Sequence, residues 1–384
     1  MSGSYLNAIG TAVPHTRLPQ AQIAEFMASA LHLDEMGRRR LQALYRTTKI
    51  DYRHTVLPDY GRQPGEFEFY PNTPDLEPFP TVSQRMAVFR REALPLAVRA
   101  VNACLRPFAQ TVAPGFDEPE EDEPDYASIT HLITVSCTGM YAPGLDIDLI
   151  NALGMPTTVQ RTAINFMGCY GAFNGLKTAD ALCRAFPKAR VLVVCVELCT
   201  LHFQKKPDDD FLLSNALFAD GAAAVLVEAT PRPDGPSLAL RSFFCDLYPN
   251  GAADMAWHVA DFGFEMTLSS YIPKLVRQGI GALVERLLNH AGLDREAVNL
   301  YAMHPGGKAI LEAIEQALGL TAHDNRHAYE VLKQYGNMSS VTVLFVLAAL
   351  MTELTPLDAG RSVLSCAFGP GLTLESAVLE VIVG

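Results

Sequence analysis

The spacing of apolar residues divides this chain into segments that each predict an element. "YLNAIGTAVP" (5–14) reads as a short strand ending in a Gly/Pro turn. "QAQIAEFMASALHL" (20–33) has helical spacing, and "DEMGRRRLQALYRTT" (34–48) predicts further helix. Residues 51–82, rich in proline, glycine and aromatics, read as an ordered loop, and 83–105 as a long amphipathic helix. An acidic, proline-bearing run, "FDEPEEDEPDY" (116–126), reads as a solvated insertion. Strand and helix patterns then alternate: "ITHLITVSC", "TVQRTAINF", "ARVLVVCVEL" and "ADGAAAVLVEA" predict strands, and "PGLDIDLINAL" and "CYGAFNGLKTADALCRAF" predict helices. Beyond "PRPDGP" (231–236), helices are predicted at 272–292, 307–319 and 339–354, with strands at "VNLYAMHP", "RSVLSCAFG" and "LTLESAVLEVIV". Strands with β-branched runs, expected to be buried on both faces and separated by helices, predict an α/β layered fold of two similar halves.

The length of 384 residues suggests two or three domain-sized units, and 49% apolar residues against 19% charged can bury a large core. A net charge of −12 argues against nucleic-acid binding. It leaves a small anionic substrate open, because a local basic patch can act against the global field. The first residues lack the basic-then-apolar pattern of an export signal. The most apolar late run, "VTVLFVLAALM", has 11 residues, too few to span a bilayer. Eight cysteines without framework spacing read as free thiols in a cytoplasmic protein.

Cys169 stands where a strand pattern gives way to a helix pattern. A helix N-terminus carries about half a positive charge, which favours a thiolate, and Gly168 and Gly171 permit a tight turn there. A buried, inert cysteine is the competing reading. Two polar residues sit at comparable corners: His304, before the turn Pro305-Gly306-Gly307, and Asn337, in the turn of "LKQYGNMSSVTVLFVL". A thiol nucleophile needs a base and an orienting partner, so Cys, His and Asn at three such corners point to one catalytic set. Cys195, Cys199 and His202 could be read as metal ligands, but their spacing has no matching second pair, and no metal site is expected. Lys308 is not a P-loop lysine, because Ala302 stands where the motif needs glycine.

"GCYGAFNGLKTADAL" around Cys169, "NALFADGAAAVLVE", "MHPGGKAILE", "YGNMSSVTVLFVL" and "FGPGLTLE" follow one another in an order that resembles the type III polyketide synthases, the chalcone-synthase-like enzymes, over nearly the whole chain. "VSCTGMYAPG" and "VELCTLHFQ" resemble the bacterial branch. The resemblance implies a thiolase-like fold, five-layered αβαβα from two similar halves, working as a homodimer. Residues 1–233 would carry the nucleophilic Cys and 234–384 the His and Asn. It implies that Cys169 accepts a starter acyl group from coenzyme A as a thioester and that His304 pairs with it to keep it a thiolate. His304 and Asn337 would hydrogen-bond the thioester carbonyl of malonyl-CoA during decarboxylation. The enolate would attack the Cys169 thioester, and the chain would return for further rounds and then cyclise. CoA thioesters are substrates here, and no cofactor is implied.

By the same resemblance, Phe218 is a gate between the CoA tunnel and the acyl cavity, and Met266 occupies the second gate position, where plant members carry Phe. Cys137, Cys199, His202 and Ser339 would line the cavity. Ala142 takes the place of a Met that crosses the dimer in plant members, which puts that crossing in question. Arg38, Arg39, Arg40 and Arg46 fall in the region that binds CoA phosphates; Arg40 and Arg46 are the candidates, with Lys308 beside them. The implied activity joins malonyl-CoA to an acyl-CoA starter. A fatty-acyl starter giving an alkylpyrone or alkylresorcinol is favoured over phloroglucinol-type products. The alternatives are an initiating ketoacyl-carrier-protein synthase, a cysteine hydrolase of acyl thioesters and a silent acyl-binding homologue.

Overall fold

A computed structural model describes residues 3–106, 124–248, 251, 254–269 and 272–383. In chain order the first half comprises β1 (Tyr5–Ala12), β2 (Thr16–Pro19), α1 (Gln20–Ala30), α2 (Glu35–Thr47), β3 (Tyr52–Thr55), α3 (Val82–Leu105), β4 (His131–Ser136), α4 (Leu145–Leu153), β5 (Gln160–Asn165), α5 (Gly171–Ala185), β6 (Arg190–Leu198), α6 (Asp209–Leu217) and β7 (Asp220–Glu228). The second comprises β8 (Pro236–Leu247), β9 (Met255–Ala260), β10 (Gly263–Leu268), α7 (Ile272–Ala291), β11 (Val298–Met303), α8 (Lys308–Leu318), α9 (Arg326–Tyr335), α10 (Thr342–Glu353), β12 (Ser362–Gly369) and β13 (Thr373–Val383).

Nine strands join in the order β11-β12-β13-β8-β1-β7-β6-β4-β5. The two halves of this array repeat one plan. In the first, β4 and β6 are parallel, and β6–β7 and β7–β1 are antiparallel. In the second, β11 and β12 are parallel, and β12–β13 and β13–β8 are antiparallel. Among the described strands, the two halves of the sheet pair where Tyr5 and Leu6 of β1 face Ala239 and Leu238 of β8. Helices α5 and α10 lie between the halves, α5 against β4, β6 and β13, α10 against β1, β7 and β11. Helices α3 and α4 cover the outer side of the first half, and α7, with α8 beside it, covers the second. This is the five-layered αβαβα thiolase-like arrangement.

Strand β6 records the layering in its side chains. Val191, Val193 and Cys195 enter the core shared with α5 and α10, while Leu192, Val194 and Val196 enter the one under α3 and α4. A strand buried on both faces needs such a continuous apolar run. Helix α10 is apolar on every side because it is packed on every side: Thr342 through Leu347 are all buried. That placement accounts for "VTVLFVLAALM", and among the described residues no helix is long and apolar enough to cross a membrane.

Two features depart from the sequence reading. Strand β5 is not buried on both faces: Gln160–Ala163 are exposed, because β5 ends the sheet and no described strand lies beyond it. The hairpin of β9 and β10 and the helices α6 and α9 are absent from that reading; α6 has little period, whereas α9 repeats apolar residues at Ala328, Val331, Leu332 and Tyr335. Most of the acidic run at 116–126 lies outside the described residues.

Candidate active site

After β5 the chain turns through Phe166 (φ 60°) and Gly168 (φ 76°), passes a short 3-10 turn at 168–170 and enters α5. Gly168 is required twice over. Its φ is in the left-handed region, and a Cβ there would sit 2.3 Å from Cδ of Pro370. This elbow sets Cys169 just before the start of α5, 6% exposed.

Asn337 is laced into place across the two halves. Its N–H donates to the carbonyl of Leu217 (2.9 Å) and its carbonyl accepts from Ala219 (2.9 Å), so it spans Phe218. Its side-chain Oδ1 accepts from the N–H of Ser339 (2.8 Å), and Nδ2 donates to the carbonyl of Gly306 (3.1 Å). An amide Nδ2 carries two hydrogens, so one is left for another acceptor. His304, at the end of β11, is anchored by its N–H to the carbonyl of Cys366 (2.8 Å). It is 1% exposed, and neither ring nitrogen has a partner.

Burial governs both titrations. It pushes the Cys169 thiol up to about 12; a hydrogen bond from Ser339 opposes the rise, the charge of Glu197 adds to it, and a hydrogen bond from Asn337 opposes it. It pulls the His304 imidazole down to about 3. The helix N-terminus therefore does not by itself make a thiolate here, because desolvation of the charged form outweighs it. Among the described residues no hydrogen bond joins the His304 ring to the Cys169 thiol, so the expected pairing of the two is not seen.

Two cavities meet at Cys169. One is an inner chamber, the other an outer pocket. Cys169, Phe218, Met266 and Pro370 line both, so the two gate candidates stand at the junction. His304, Asn337 and Lys308 line the outer pocket. Cys137, Cys199, His202 and Ser339 line the inner chamber. Lys308 is paired with Glu312. Arg40 and Arg46 line neither cavity. The amphipathic α2 turns Leu41 and Tyr45 inward and leaves both arginines exposed, while its C-terminal end meets the outer pocket through Thr47 and Thr48.

Inside the chamber, polar groups are mostly committed to each other. His202 accepts from the N–H of Phe264 at Nδ1 (2.9 Å), so Nε2–H donates to the carbonyl of Thr138 (2.7 Å). Burial holds it neutral, down to about 3, and it stacks on Phe264 at 4.2 Å. It clamps the hairpin and has no free nitrogen for acid–base work. Cys137 lies 3.1 Å from Ser339 Oγ and 3.4 Å from Glu197 Oε2, and burial raises its thiol well above the usual range. Glu197, which the sequence reading passed over, is fully buried and accepts from Cys137 N–H (3.0 Å), Thr138 Oγ1 (2.8 Å) and Ser340 Oγ (2.5 Å). Its signal was visible: one carboxylate in the otherwise apolar run "VLVVCVEL". Trp257, whose Nε1–H donates to the Cys137 carbonyl (2.7 Å), was also missed.

Residues 2–231 match the family model of chalcone and stilbene synthases, N-terminal domain, and residues 239–383 that of the C-terminal domain. The chain is 29% identical over 380 residues to "Alpha-pyrone synthesis polyketide synthase-like Pks18" of Mycobacterium tuberculosis, covering 98% of this chain and 91% of that one. It is 30% identical over 391 residues to "Probable polyketide synthase 1" of Dictyostelium discoideum, where all of this chain spans only 12% of the relative. The crystal structure of the C-terminal type III polyketide synthase domain of Steely1, a type I/III hybrid from Dictyostelium, superposes with a TM-score of 0.87 at 28% identity, covering 99% of this chain and 100% of that one.

Proposed function

The chain belongs to the chalcone and stilbene synthase family of type III polyketide synthases, acyl-transferring condensing enzymes, and from that premise we propose how it works. An acyl-CoA enters through the outer pocket and transfers its acyl group to Cys169; His304 takes the thiol proton and passes it to the departing coenzyme A thiolate. Malonyl-CoA follows. His304 and the second N–H of Asn337 Nδ2 hold its thioester carbonyl oxygen as carbon dioxide leaves. The resulting enolate attacks the Cys169 thioester, and the lengthened chain returns to sulfur, grows and cyclises. The single observation that carries the reading is Cys169 at the junction, with the unpartnered His304 ring and the Asn337 amide on the outer side and a chamber on the inner one. Lys308 at the pocket wall supports contact with CoA phosphates more strongly than exposed Arg40 and Arg46 do.

A fatty-acyl starter and an α-pyrone or resorcinol product fit best. Ile23, Met27, Phe203, Phe211 and Phe264 give the chamber apolar walls for an alkyl chain, and a relative carries α-pyrone synthesis in its name. We place the chain in the bacterial branch, as a cytoplasmic homodimer. The open, exposed edge of β5 supports the dimer, since an unpaired edge strand needs a cover. The test is mass spectrometry of products from purified protein, malonyl-CoA and a panel of acyl-CoA starters. Cyclised products with two or more extensions are expected, best from long-chain starters. Free acids without malonyl-CoA consumption would point to a hydrolase instead.

Two further outcomes are expected. Met266→Phe, which replaces a flexible side chain by a rigid ring at the junction, lowers kcat/KM for long-chain starters about tenfold relative to short ones, in side-by-side kinetics. His304→Gln slows acyl transfer from an acyl-CoA to Cys169 at neutral pH by about 10²–10⁴-fold, the usual worth of a general base, in single-turnover intact-protein mass spectrometry. Burial holds the thiol high, at about 12, with the imidazole in place, so little thiolate forms unless a base takes the proton. Acylation at the wild-type rate would remove His304 from that role.

A further inference from the structure

Among the described residues, three lining these two cavities carry buried polar side-chain atoms without a partner: His304, Arg53 and Ser214. Native proteins rarely leave such atoms unpaired, and a ligand is one reason they do. The mechanism already uses His304. Arg53 and Ser214 lie in the wall of the inner chamber.

Arg53, on β3, is 2% exposed. Its Nε donates to Gln20 Oε1 (2.8 Å), and Nη1 donates to the carbonyls of Asn215 (2.8 Å) and Phe218 (2.7 Å). Nη2 is unpaired. Asp220, the carboxylate whose charge reaches this guanidinium, is taken up by Thr200 and by the N–H of Val56. Tyr45 also faces the guanidinium, its ring centre 5.7 Å from Cζ, but a buried cation whose direct partners are neutral is costly unless something negative joins it. Ser214, on α6, is 8% exposed; its carbonyl accepts from Phe218 N–H (3.2 Å), and its Oγ is unpaired. Ser214 thus shares one helix end with the two carbonyls that hold Arg53. Arg85 also has an unpaired Nη2, but it lies outside the chamber with its guanidinium 4.8 Å from the ring centre of Phe79.

We propose that Arg53 Nη2 and Ser214 Oγ form a subsite for a ketone or enolate oxygen of the growing β-ketide, and that this subsite sets how many extensions the chain undergoes. The inference rests on the reading of the preceding subsection. An alkyl starter carries no oxygen beyond its thioester, so it leaves both groups unpaired. Each extension adds a carbonyl two carbons along, and a 1,3-dicarbonyl enolises and ionises readily. A guanidinium beside a hydroxyl is a donor pair suited to that oxygen. The pair is therefore filled only once extension has begun. Because the same guanidinium holds the Phe218 carbonyl, the occupant and the gate share one anchor.

The test reads binding and product together. Dodecane-2,4-dione and dodecan-2-one are titrated against the fluorescence of Trp257, the chain's single tryptophan, which lines the same chamber. Wild type is expected to prefer the diketone by about tenfold or more, the size of a hydrogen bond to a charged group. Ser214→Ala, which removes only an oxygen with no other partner, and Arg53→Lys, which keeps the charge but loses the fork, are expected to lose that preference. Their ratio of longer to shorter ketides should fall by about tenfold. A preference and a ratio within about twofold of wild type in Ser214→Ala would overturn the proposal even if Arg53→Lys fails to fold. If wild type makes no ketide at all, the parent reading fails, while the diketone preference still decides the subsite.

Discussion

Cys169→Ala is expected to abolish ketide formation, lowering turnover by on the order of 10⁴-fold or more, while malonyl-CoA is still decarboxylated slowly. The split follows from the division of labour at the junction. The sulfur that would carry the acyl chain is lost, but His304 and Asn337 still face the outer pocket and can stabilise an enolate. Alanine also removes a thiol that is 6% exposed without unpairing any backbone group, so the fold is kept. Cys137 is no substitute. Its sulfur is engaged by Ser339 and Glu197, and burial beside that carboxylate raises its pKa further. Intact-protein mass spectrometry with an acyl-CoA should therefore give an adduct on wild type and none on the variant. Turnover at the wild-type rate, or an acyl adduct mapped to Cys137, would remove Cys169 as the nucleophile.

What the sequence made legible depended on how local the cause is. The corners bearing Cys169, His304 and Asn337 follow from turn residues and adjacent apolar runs, which act within a few positions. Asp34 capping α2 through the N–H of Gly37 and the Thr81–Gln84 capping box of α3 are local in the same way. The arginines of α2 were harder. Period alone tells that a helix has two faces, not which pocket its polar face meets, and Arg40 and Arg46 line neither the inner chamber nor the outer pocket. Cys169 shows the same limit in its chemistry: the helix terminus is readable from sequence, but the burial that opposes it comes from tertiary packing that no local pattern reports. Arg53 and Ser214 were out of reach for the same reason. They stand 161 residues apart in a sequence numbered 53 and 214, and only tertiary packing shows that both are unpaired.

Asn337→Ala is expected to lower malonyl-CoA decarboxylation and overall turnover by about 10²–10³-fold, the usual cost of one donor aimed at developing negative charge. Acylation of Cys169 by the starter should fall far less, because that step does not require the malonyl enolate. Alanine alone leaves an ambiguity. Asn337 Oδ1 also accepts from the N–H of Ser339 (2.8 Å) and from Thr342 Oγ1 (3.3 Å), so part of the loss could come from a loosened turn. Ser339 itself has φ 50°, a conformation that depends on its surroundings for support. Asn337→Asp separates the two effects. It keeps the oxygen that holds Ser339 and replaces the donor with a second oxygen, which repels both the enolate and the Gly306 carbonyl that Nδ2 now engages. If the donor matters, Asn337→Asp loses decarboxylation at least as heavily as Asn337→Ala. If the turn is what matters, Asn337→Asp stays near wild type, and the oxyanion role passes to His304 alone.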